Sequence, residues 1–409
     1  MKKTLKDVDV YGKKILVRVD FNVPIENGVI QEDNRIVEAL PTIKYLLNNG
    51  AAVILTSHLG RPEGKVDMQY SLKPCAIRLS ELLKKEVKIA PDCVGKETVK
   101  MAKDLKTGEV LLLENLRFHP EEEGNDKVFA TKLAKLGDIF IFDAFGTAHR
   151  KHASTYGVSK LMTSAMGFLV EKELSMITGK IESPRKPFVA ILGGAKVGDK
   201  IGMIDFLADK VGTILIGGAM AIPFLKAQGY TTGVYPIKNK DGVKFSDIVK
   251  QAKTIIKKCE ESNVNLVLPT DFVMTDSIKA PTIVIEGDSP NIEDKWTGAD
   301  IGPETRKIFS KIIKKAKTVI WNGPMGVFEL PVFANGTFAV AKAMARSRAT
   351  TIVGGGDTAS AVIQLGLAKK MSHISTGGGA SLKLFEGAIL PAVDVLEDTQ
   401  PVIAKGKKK

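Results

Sequence analysis

The chain has 409 residues, of which 44% are apolar and 26% are charged, and its formal net charge is +13. This composition is that of a globular protein long enough for two or three domains, and no apolar run approaches the roughly 20 residues that cross a bilayer. The basic start, MKKTLKDVDV, has no apolar stretch behind it, and the three scattered cysteines indicate neither disulfides nor a zinc site, so a cytoplasmic protein without a secretory leader is expected.

The positive charge is carried mainly by lysines. They are spread along helical stretches such as IVKQAKTIIKKCEES and collect in the terminal KGKKK, which we interpret as a disordered end. Aromatic residues make up only 6% of the chain, and no stretch interleaves them with basic residues as base stacking requires. The charge therefore predicts a solvated lysine face and small anionic substrates, and no nucleic-acid or membrane partner.

Short β-branched runs alternate with amphipathic helical stretches along the whole chain. Helical periodicity is clear in RIVEALPTIKYLLNN and ETRKIFSKIIKKAK. The alternation is typical of parallel sheets with right-handed crossovers, and about eleven strands are too many for one ordinary sheet. The predicted strands are, in chain order, KILVRVDF, AAVILTSHLG, EVKIA, VLLLENLRF, DIFIFDAFG, PFVAILGG, GTILIGG, VNLVLP, PTIVIEG, TVIWNGP and TTIVGGG.

We therefore predict the α/β class, with two doubly wound, Rossmann-like parallel-sheet domains and a cleft between them. The boundary is expected between Gly167 and Lys186, where strand signals are sparse and the middle of the connector has helical character. A helical hinge is predicted there. Ligands of such sheets lie beyond the carboxyl ends of the strands, so the residues at those ends are the candidates for a functional site.

In the first half of the chain, the strand ends and the loops beyond them carry cationic side chains. A single arginine in such a place is usually a surface ion pair, but several at one sheet edge suit a small, strongly anionic substrate. Asp20 and Asn22 add groups that recognise hydroxyls. An anion-binding role is favoured for the histidines, with His58 or His149 as a general base left open. The cationic residues are Arg35, His58, Arg61, Arg117, His149, Arg150 and His152.

In the second half, the strand ends carry glycine turns. Backbone N–H groups at such strand–glycine–helix junctions bind phosphate, and their repetition favours a nucleotide. Neither a Walker-A loop nor an intact dinucleotide fingerprint is present. Lys196 and Lys200 are four residues apart, so on a helix they project to one side. The turns are Gly193–Gly194, Gly217–Gly218, Gly354–Gly356 and Gly377–Gly379.

Asp357 lies at the mouth of one of these turns, where a carboxylate would repel phosphate. A divalent cation between the two removes the conflict, and magnesium prefers such oxygen ligands. The alternative is that Asp357 or Thr358 caps the helix. Glu329, in the loop after another strand, could accept hydrogen bonds from a ribose. An anion site in one half and a magnesium nucleotide site in the other predict phosphoryl transfer, with domain closure to exclude water.

Seven motifs in series resemble the phosphoglycerate kinase family over nearly the whole chain: RVDFNVP, SHLGRP, DAFGTAHR, GGAKVGDKI, NGPMGVFE, GGGDTA and STGGGAS. The resemblance implies reversible in-line transfer from 1,3-bisphosphoglycerate to ADP, giving 3-phosphoglycerate and ATP, by a magnesium-dependent, cytoplasmic monomer. It implies that residues 1–168 bind 3-phosphoglycerate, that residues 169–388 bind the magnesium nucleotide, and that residues 389–409 pack back on the first domain.

The family pattern also implies roles for individual residues. Arg35 would act at the carboxyl end of the substrate, and Lys200 with Lys196 would follow the migrating phosphoryl group. The N–H groups of Gly377, Gly378 and Gly379, at a helix N-terminus, would stabilise that group during transfer. Contacts to 3-phosphoglycerate are implied for Asp20, Phe21, Asn22, Arg35, His58, Leu59, Gly60, Arg61, Arg117 and Arg150. Contacts to the nucleotide are implied for Gly193, Lys200, Gly217, Gly298, Glu329, Gly355, Gly356, Asp357 and Thr358, with Asp357 also holding Mg²⁺.

Three alternatives are weighed against this interpretation. A nucleotide-sensing protein without turnover would lack a transfer residue, yet Arg35, Lys200 and Asp357 are present. A kinase acting on an acid with a single carboxylate would not need as many arginines as the first half of this chain carries. A dehydrogenase would need an intact dinucleotide-binding fingerprint, which this chain lacks. The chain departs from the family pattern at Lys383, Ala388 and Ala392 and in the KGKKK tail. None of the three positions is a proposed catalytic group, so the departures affect the expected local packing and hinge mechanics and leave the predicted activity unchanged.

Overall fold

Buried β-branched runs form two separate parallel sheets in the computed structural model of the chain, which describes residues 1–194, 200–235 and 244–399. The chain divides into two compact units. Unit 1 comprises Met1–Leu174 and the described residues from Ile389 onward, and unit 2 comprises Ser175–Ala388. No helix in these residues is long and apolar enough to span a membrane.

Unit 1 is built around a six-stranded sheet. The strands of the unit are β1 (Lys14–Val19), β2 (Ile25–Glu26), β3 (Val29–Ile30), β4 (Ala52–Thr56), β5 (Val87–Ile89), β6 (Val110–Leu112), β7 (Ile139–Asp143) and β8 (Ser164–Met166). Its first helices are α1 (Asn34–Asn48), α2 (Lys73–Leu83), α3 (Lys96–Asp104), α4 (Pro120–Glu123) and α5 (Lys127–Ala134). The sheet has the order β5-β6-β4-β1-β7-β8 and is parallel throughout, whereas β2 and β3 form a separate hairpin.

Strand β1 lies at the centre of this sheet and has apolar residues on both faces. Ile15, Val17 and Val19 pack with Ile36 and Ile43 of α1 in one hydrophobic core. Because β4 and β7 run parallel to β1 on either side, the loops that follow the three strands emerge at the same edge. This arrangement places the residues after Val19, Thr56 and Asp143 near one another.

Unit 2 contains a second six-stranded parallel sheet and a smaller antiparallel one. Its strands are β9 (Phe188–Leu192), β10 (Thr213–Ile216), β11 (Asn265–Val267), β12 (Phe272–Thr275), β13 (Val284–Glu286), β14 (Thr297–Ile301), β15 (Thr318–Asn322), β16 (Thr350–Gly354) and β17 (His373–Ile374). The parallel order is β11-β10-β9-β15-β16-β17, and the antiparallel order is β13-β12-β14.

Helices cover the parallel sheet of unit 2 and connect its strands. The connecting helix α6 (Phe168–Glu182) begins in unit 1 and ends in unit 2, so the division between units falls within it. The others are α7 (Ile201–Ala208), α8 (Ala221–Ala227), α9 (Phe245–Glu261), α10 (Pro303–Lys315), α11 (Asn335–Arg346), α12 (Gly356–Gln364) and α13 (Gly378–Phe385). Leu192, Asn322 and Gly354 pair across β9, β15 and β16, so the carboxyl ends of these strands are level.

The end of the described chain packs on unit 1. The segment after helix α14 (Pro391–Asp394) is hydrogen-bonded to the start of the chain. Lys3 N donates to Glu397 O at 2.8 Å, and Thr399 N donates to Met1 O at 2.7 Å. Ala392 is fully buried, and its N–H donates to Ala148 O at 3.1 Å. The KGKKK tail lies outside the described residues.

The two parallel-sheet α/β units confirm the predicted fold class. One strand prediction needs correction: PTIVIEG was assigned to the parallel alternation, but its Val284–Glu286 segment belongs to the antiparallel sheet. Strands β2, β3, β8, β12, β14 and β17 are not among the predicted strands. Strand β14 has the sequence TGADI, and every residue of it is buried. Its glycine and aspartate have low strand propensity, so the sequence did not indicate a strand there.

Candidate active site

Arg35 and Asp20 are joined at the carboxyl edge of the unit 1 sheet. Asp20 follows β1 and is buried, whereas Arg35 lies in the first turn of α1 with a third of its side chain exposed. Arg35 Nη1 donates to Asp20 Oδ2 at 2.8 Å. The pair holds the guanidinium in place while leaving it accessible to a ligand.

His58, which follows β4, is buried beside Arg18. Its Nδ1 lies 3.2 Å from Arg18 Nη2, and because a guanidinium can only donate, the imidazole proton is on Nε2. Burial, together with the charges of Arg18, Arg117, Arg150 and Arg35, lowers the pKa of His58 well below its usual range. His58 is therefore a neutral hydrogen-bond donor. The expectation that it adds a positive charge or acts as a general base is not supported by this environment.

Arg117 has only part of its guanidinium group bonded to other described residues. Its Nη1 donates to Gly60 O at 2.8 Å, and its Nη2 lies 3.0 Å from Glu123 Oε1. Its Nε is buried and has no hydrogen-bond partner among the described residues. Arg150 Nη1 lies 3.9 Å from the same Glu123 oxygen. An unsatisfied buried donor on a cation is costly unless an anionic group binds there.

The other residues of unit 1 that the sequence predicted to bind substrate differ in which of their atoms are accessible to a ligand. Phe21 and Leu59 have buried side chains, so only their backbone is available. Asn22 Oδ1 accepts from Gly60 N at 2.9 Å, which ties two predicted loops together. Gly60 has φ +61°, and a Cβ on it would lie 2.3 Å from the Tyr70 ring. Arg61 is exposed.

Four arginines act electrostatically on His58. Two residues of this cluster, Arg18 and Glu122, were not singled out by the sequence, and both bond to Ser154. Arg18 is fully buried on β1, and its Nε donates to Ser154 Oγ at 2.8 Å. Glu122, also fully buried, accepts from Ser154 N at 2.9 Å and from Ser154 Oγ at 2.6 Å. The available signal for Arg18 was a charged residue in the interior of a strand whose other interior residues are apolar.

His152 is not the cation that the sequence suggested. Burial, together with the charges of Arg18 and Arg150, lowers its pKa to about 3. Its Nδ1 lies 3.8 Å from Glu122 Oε1. The positive charge of the cluster therefore comes from its guanidinium groups, and His152 is neutral at physiological pH.

In unit 2, Lys200 lies at the edge where parallel strands end. It directly precedes α7, and its Nζ donates to the backbone oxygens of Gly193 and Asn322, the latter at 3.2 Å. These oxygens follow or end β9 and β15. Lys196, predicted to act with Lys200, lies outside the described residues.

Two helix N-termini adjoin at the same edge. Gly355, with φ +90°, is the N-cap of α12, and Gly377 is the N-cap of α13. A Cβ on Gly378, the first residue of α13, would lie 3.3 Å from Gly356 N. Gly379 is the next residue of α13. The first N–H groups of two helices therefore lie close together, which is an arrangement suited to phosphate.

Asp357 is exposed in the first turn of α12. The N-cap of this helix is Gly355 and no side chain caps it, so the alternative in which Asp357 or Thr358 serves as the cap is wrong. No hydrogen bond or ion pair to the Asp357 carboxylate occurs in the part of the chain that the structure describes. Thr358 is buried, and its Oγ1 accepts from Gly323 N at 2.7 Å.

The other glycines predicted to shape the nucleotide site are required by packing. A Cβ on Gly193 would lie 2.2 Å from Pro324 O, and one on Gly217 would lie 2.5 Å from Met325 Sδ. Gly298 lies on β14 of the antiparallel sheet, where a Cβ would meet Ile292 at 2.9 Å. Glu329 is exposed in the loop after β15. Met325 contacts both the Gly193 and Gly217 positions, which brings these two turns together.

The chain is similar in sequence and in structure to known proteins of one family. The family model described as "Phosphoglycerate kinase" matches residues 5–388. Phosphoglycerate kinases of Clostridium botulinum strain Langeland and of Clostridium kluyveri are each 52% identical over 400 residues, covering 97% of this chain and 99% of the relative. A solved phosphoglycerate kinase structure from Coxiella burnetii superposes with a TM-score of 0.86 at 38% identity, covering 97% of this chain and 98% of that one. One from Pyrococcus horikoshii gives 0.83 at 35% identity, covering 96% and 98%.

Proposed function

This chain belongs to the phosphoglycerate kinase family, and from that premise we propose that its arginine cluster binds 3-phosphoglycerate and its glycine turns bind the nucleotide. The activity is reversible transfer of a phosphoryl group from 1,3-bisphosphoglycerate to ADP, which gives 3-phosphoglycerate and ATP. The substrate site comprises the residues around His58 in unit 1. The nucleotide site comprises Lys200 and the first turns of α12 and α13 in unit 2.

The observation that carries the assignment of the substrate site is the set of four arginines around a neutral imidazole. Arg18, Arg35, Arg117 and Arg150 all act electrostatically on His58. The buried Nε of Arg117 has no partner among the described residues. 3-Phosphoglycerate presents a phosphate, a carboxylate and a hydroxyl, and its two anionic groups match the forked donors of several guanidinium groups.

Each proposed role follows from charge and position. Arg35, fixed by Asp20 yet a third exposed, would bind the carboxyl group whose oxygen attacks the γ-phosphorus of ATP in the reverse reaction. As that oxygen–phosphorus bond forms, the bond to the β-phosphate oxygen breaks, and ADP carries away the negative charge. Lys200 and the N–H groups of Gly378 and Gly379 would stabilise the charge on the transferred group. Such catalysis needs positioned cations and amides and no covalent nucleophile.

Magnesium is proposed as the metal partner, with Asp357 as its protein ligand. The fit rests on an exposed carboxylate that neither caps its helix nor pairs with another described residue, beside the N–H groups of two helix starts. Carboxylate oxygen is a ligand that Mg²⁺ prefers. When bound, the ion would neutralise charge on the nucleotide phosphates. We also propose that the protein is a cytoplasmic monomer. The three cysteines are free thiols, as is usual in a reducing compartment. Light scattering would test the oligomeric state directly.

The proposed substrate site is tested by calorimetric titration of 3-phosphoglycerate in the absence of nucleotide. Arg117→Ala is expected to weaken binding by about 100-fold, since a buried cation is lost from an anion site. Arg78→Ala is the matched control, because Arg78 also lies in unit 1 but pairs with Asp33 and Glu81 at the surface. Unchanged affinity in Arg117→Ala, or equal losses in both variants, would refute this substrate site.

A further inference from the structure

Three potential metal ligands meet in unit 1, outside the residues assigned to 3-phosphoglycerate. Asp92 and Cys93 lie in the loop between β5 and α3, and His119 directly precedes α4. One donor atom from each, an oxygen, a sulfur and a nitrogen, all lie within 4.8 Å of one another. Asp92 Oδ1 is 2.7 Å from His119 Nε2. The chain thus gathers three different donors at one point.

The backbone around these side chains is held by its own contacts. Asp92 Oδ1 accepts from Cys93 N at 2.6 Å, and Asp92 O accepts from Thr98 Oγ1 at 2.9 Å. The His119 ring packs on Phe129 with the ring centroids 5.2 Å apart. The ligands are therefore positioned before any ion binds, which lowers the cost of ordering them.

Charged neighbours of these ligands include two acids and one lysine. Glu121 and Lys132 act electrostatically on His119 with opposite sign, and Glu122 acts on Cys93. Cys93 is fully buried, whereas Asp92 and His119 are partly exposed, so water can reach one side of the group. A thiolate, an imidazole and a carboxylate with one open position form a ligand set typical of zinc.

Asp92 and His119 already hold their donor atoms close to the separation that such an ion requires. Bonds of about 2.0–2.3 Å in a tetrahedron separate neighbouring ligand atoms by roughly 3.3–3.7 Å. The Asp92–His119 hydrogen bond would have to open by only a fraction of an ångström. Sequence spacing suggested no zinc site because the three cysteines are scattered, but the fold supplies an aspartate and a histidine to one of them.

We propose that Asp92, Cys93 and His119 bind Zn²⁺ or another thiophilic divalent ion, with water as the fourth ligand. On binding, the Cys93 S–H bond breaks and the sulfur forms a bond to the metal. His119 Nε2 gives up the proton that it donates to Asp92 in the ion-free chain, and its lone pair forms the bond to the metal. Both protons pass to solvent. No electron is transferred. The bound ion ties the loop after β5 to the chain segment that carries Arg117, so it is expected to raise the unfolding temperature.

Cobalt(II) is the probe, because a thiolate bound to Co²⁺ gives a charge-transfer absorption that oxygen and nitrogen ligands do not give. The full chain is titrated with Co²⁺ in the absence of magnesium and nucleotide. One equivalent is expected to produce the thiolate band, and Zn²⁺ is expected to remove it by displacement. Absence of the band in the wild-type protein would overturn the proposal, leaving Asp92–His119 as an ion pair beside a buried thiol.

Variants assign the band to this site. Cys93→Ser is expected to abolish it, and His119→Gln is expected to weaken Co²⁺ binding by at least about tenfold. Cys259→Ser is the matched control, since Cys259 is also a buried thiol but lies on α9 in unit 2. A band that persists in Cys93→Ser would refute the proposal. If that variant does not fold, wild-type Co²⁺ affinity in both His119→Gln and Asp92→Asn would refute it equally.

Discussion

Arg35 Nη1 and Asp20 Oδ2 are 2.8 Å apart, which makes a buried carboxylate the anchor of a partly exposed guanidinium. This geometry fixes one edge of the Arg35 fork and leaves its other donors for a ligand. Asp20 thereby acts as a positioning residue as well as a candidate ligand contact. The same carboxylate accepts from Asn22 N at 3.2 Å, so the whole turn after β1 is organised around it.

Arg35→Ala is expected to lower kcat by about 100-fold or more while changing the dissociation constant of 3-phosphoglycerate much less. The reason is that Arg35 is assigned to the carboxyl group at which charge changes during transfer. Steady-state kinetics and calorimetry on the same preparation measure the two quantities. A large loss of binding with unchanged kcat would place its role in substrate binding instead.

Lys200→Met is expected to show the same pattern for the nucleotide half of the reaction. Its Nζ donates to the oxygens of Gly193 and Asn322, so it is held at the sheet edge before substrate arrives. A kcat loss of about 100-fold with ATP affinity within about threefold is predicted. Lys250→Met, at an exposed lysine of α9, should leave both unchanged. Equal effects of the two substitutions would contradict the assigned role.

Asp357→Asn is expected to weaken binding of magnesium–ATP by about tenfold, because an amide is a poorer magnesium ligand than a carboxylate. Binding of ATP in the presence of a chelator should change little. Asp247→Asn is a matched control, since Asp247 also lies in the first turn of a helix, α9. Undiminished magnesium–ATP affinity in Asp357→Asn would remove the metal assignment.

Deprotonation of Asp143 is expected to make unit 1 less stable as the pH rises. Burial raises the pKa of Asp143 to about 7, far above the roughly 3.9 of an unfolded aspartate. The folded state therefore binds the extra proton, so this contribution to stability is fully present below about pH 4 and is lost as the pH rises through about 7. The carboxylate accepts from Leu169 N at 2.9 Å at the start of α6.

Asp143→Asn keeps that accepting oxygen but cannot ionise. Its unfolding temperature is expected to fall less than that of the wild type between about pH 5 and about pH 8. Asp126→Asn, at an exposed residue that caps α5, serves as the comparison. A pH profile of Asp143→Asn identical to that of the wild type would show that Asp143 does not titrate in this range.

The sequence predicted most of the parallel strands because their residues are β-branched and almost continuously apolar. It assigned β13 to the wrong sheet because periodicity identifies a strand but does not show which neighbours it pairs with. Strand β14 was missed because TGADI contains residues that are rare in strands. Its identity depends on its antiparallel pairing with β12, which local sequence does not encode.

Within the candidate site, the sequence identified charged residues at strand ends but misjudged some of their protonation states. His58 and His152 are neutral because several guanidinium groups and burial act on them together. Arg18 and Glu122 were missed because each bonds to Ser154, which joins three distant parts of the chain. Such couplings between residues far apart in sequence arise only on folding.

The most direct test of the kinase activity is a coupled assay of the purified protein with 3-phosphoglycerate and ATP, with and without magnesium. Formation of 1,3-bisphosphoglycerate that depends on the metal, and that falls by about 100-fold in Arg35→Ala, is the predicted result. Nucleotide binding without any product in the wild-type protein would contradict this activity and would favour a nucleotide-sensing protein on the same fold.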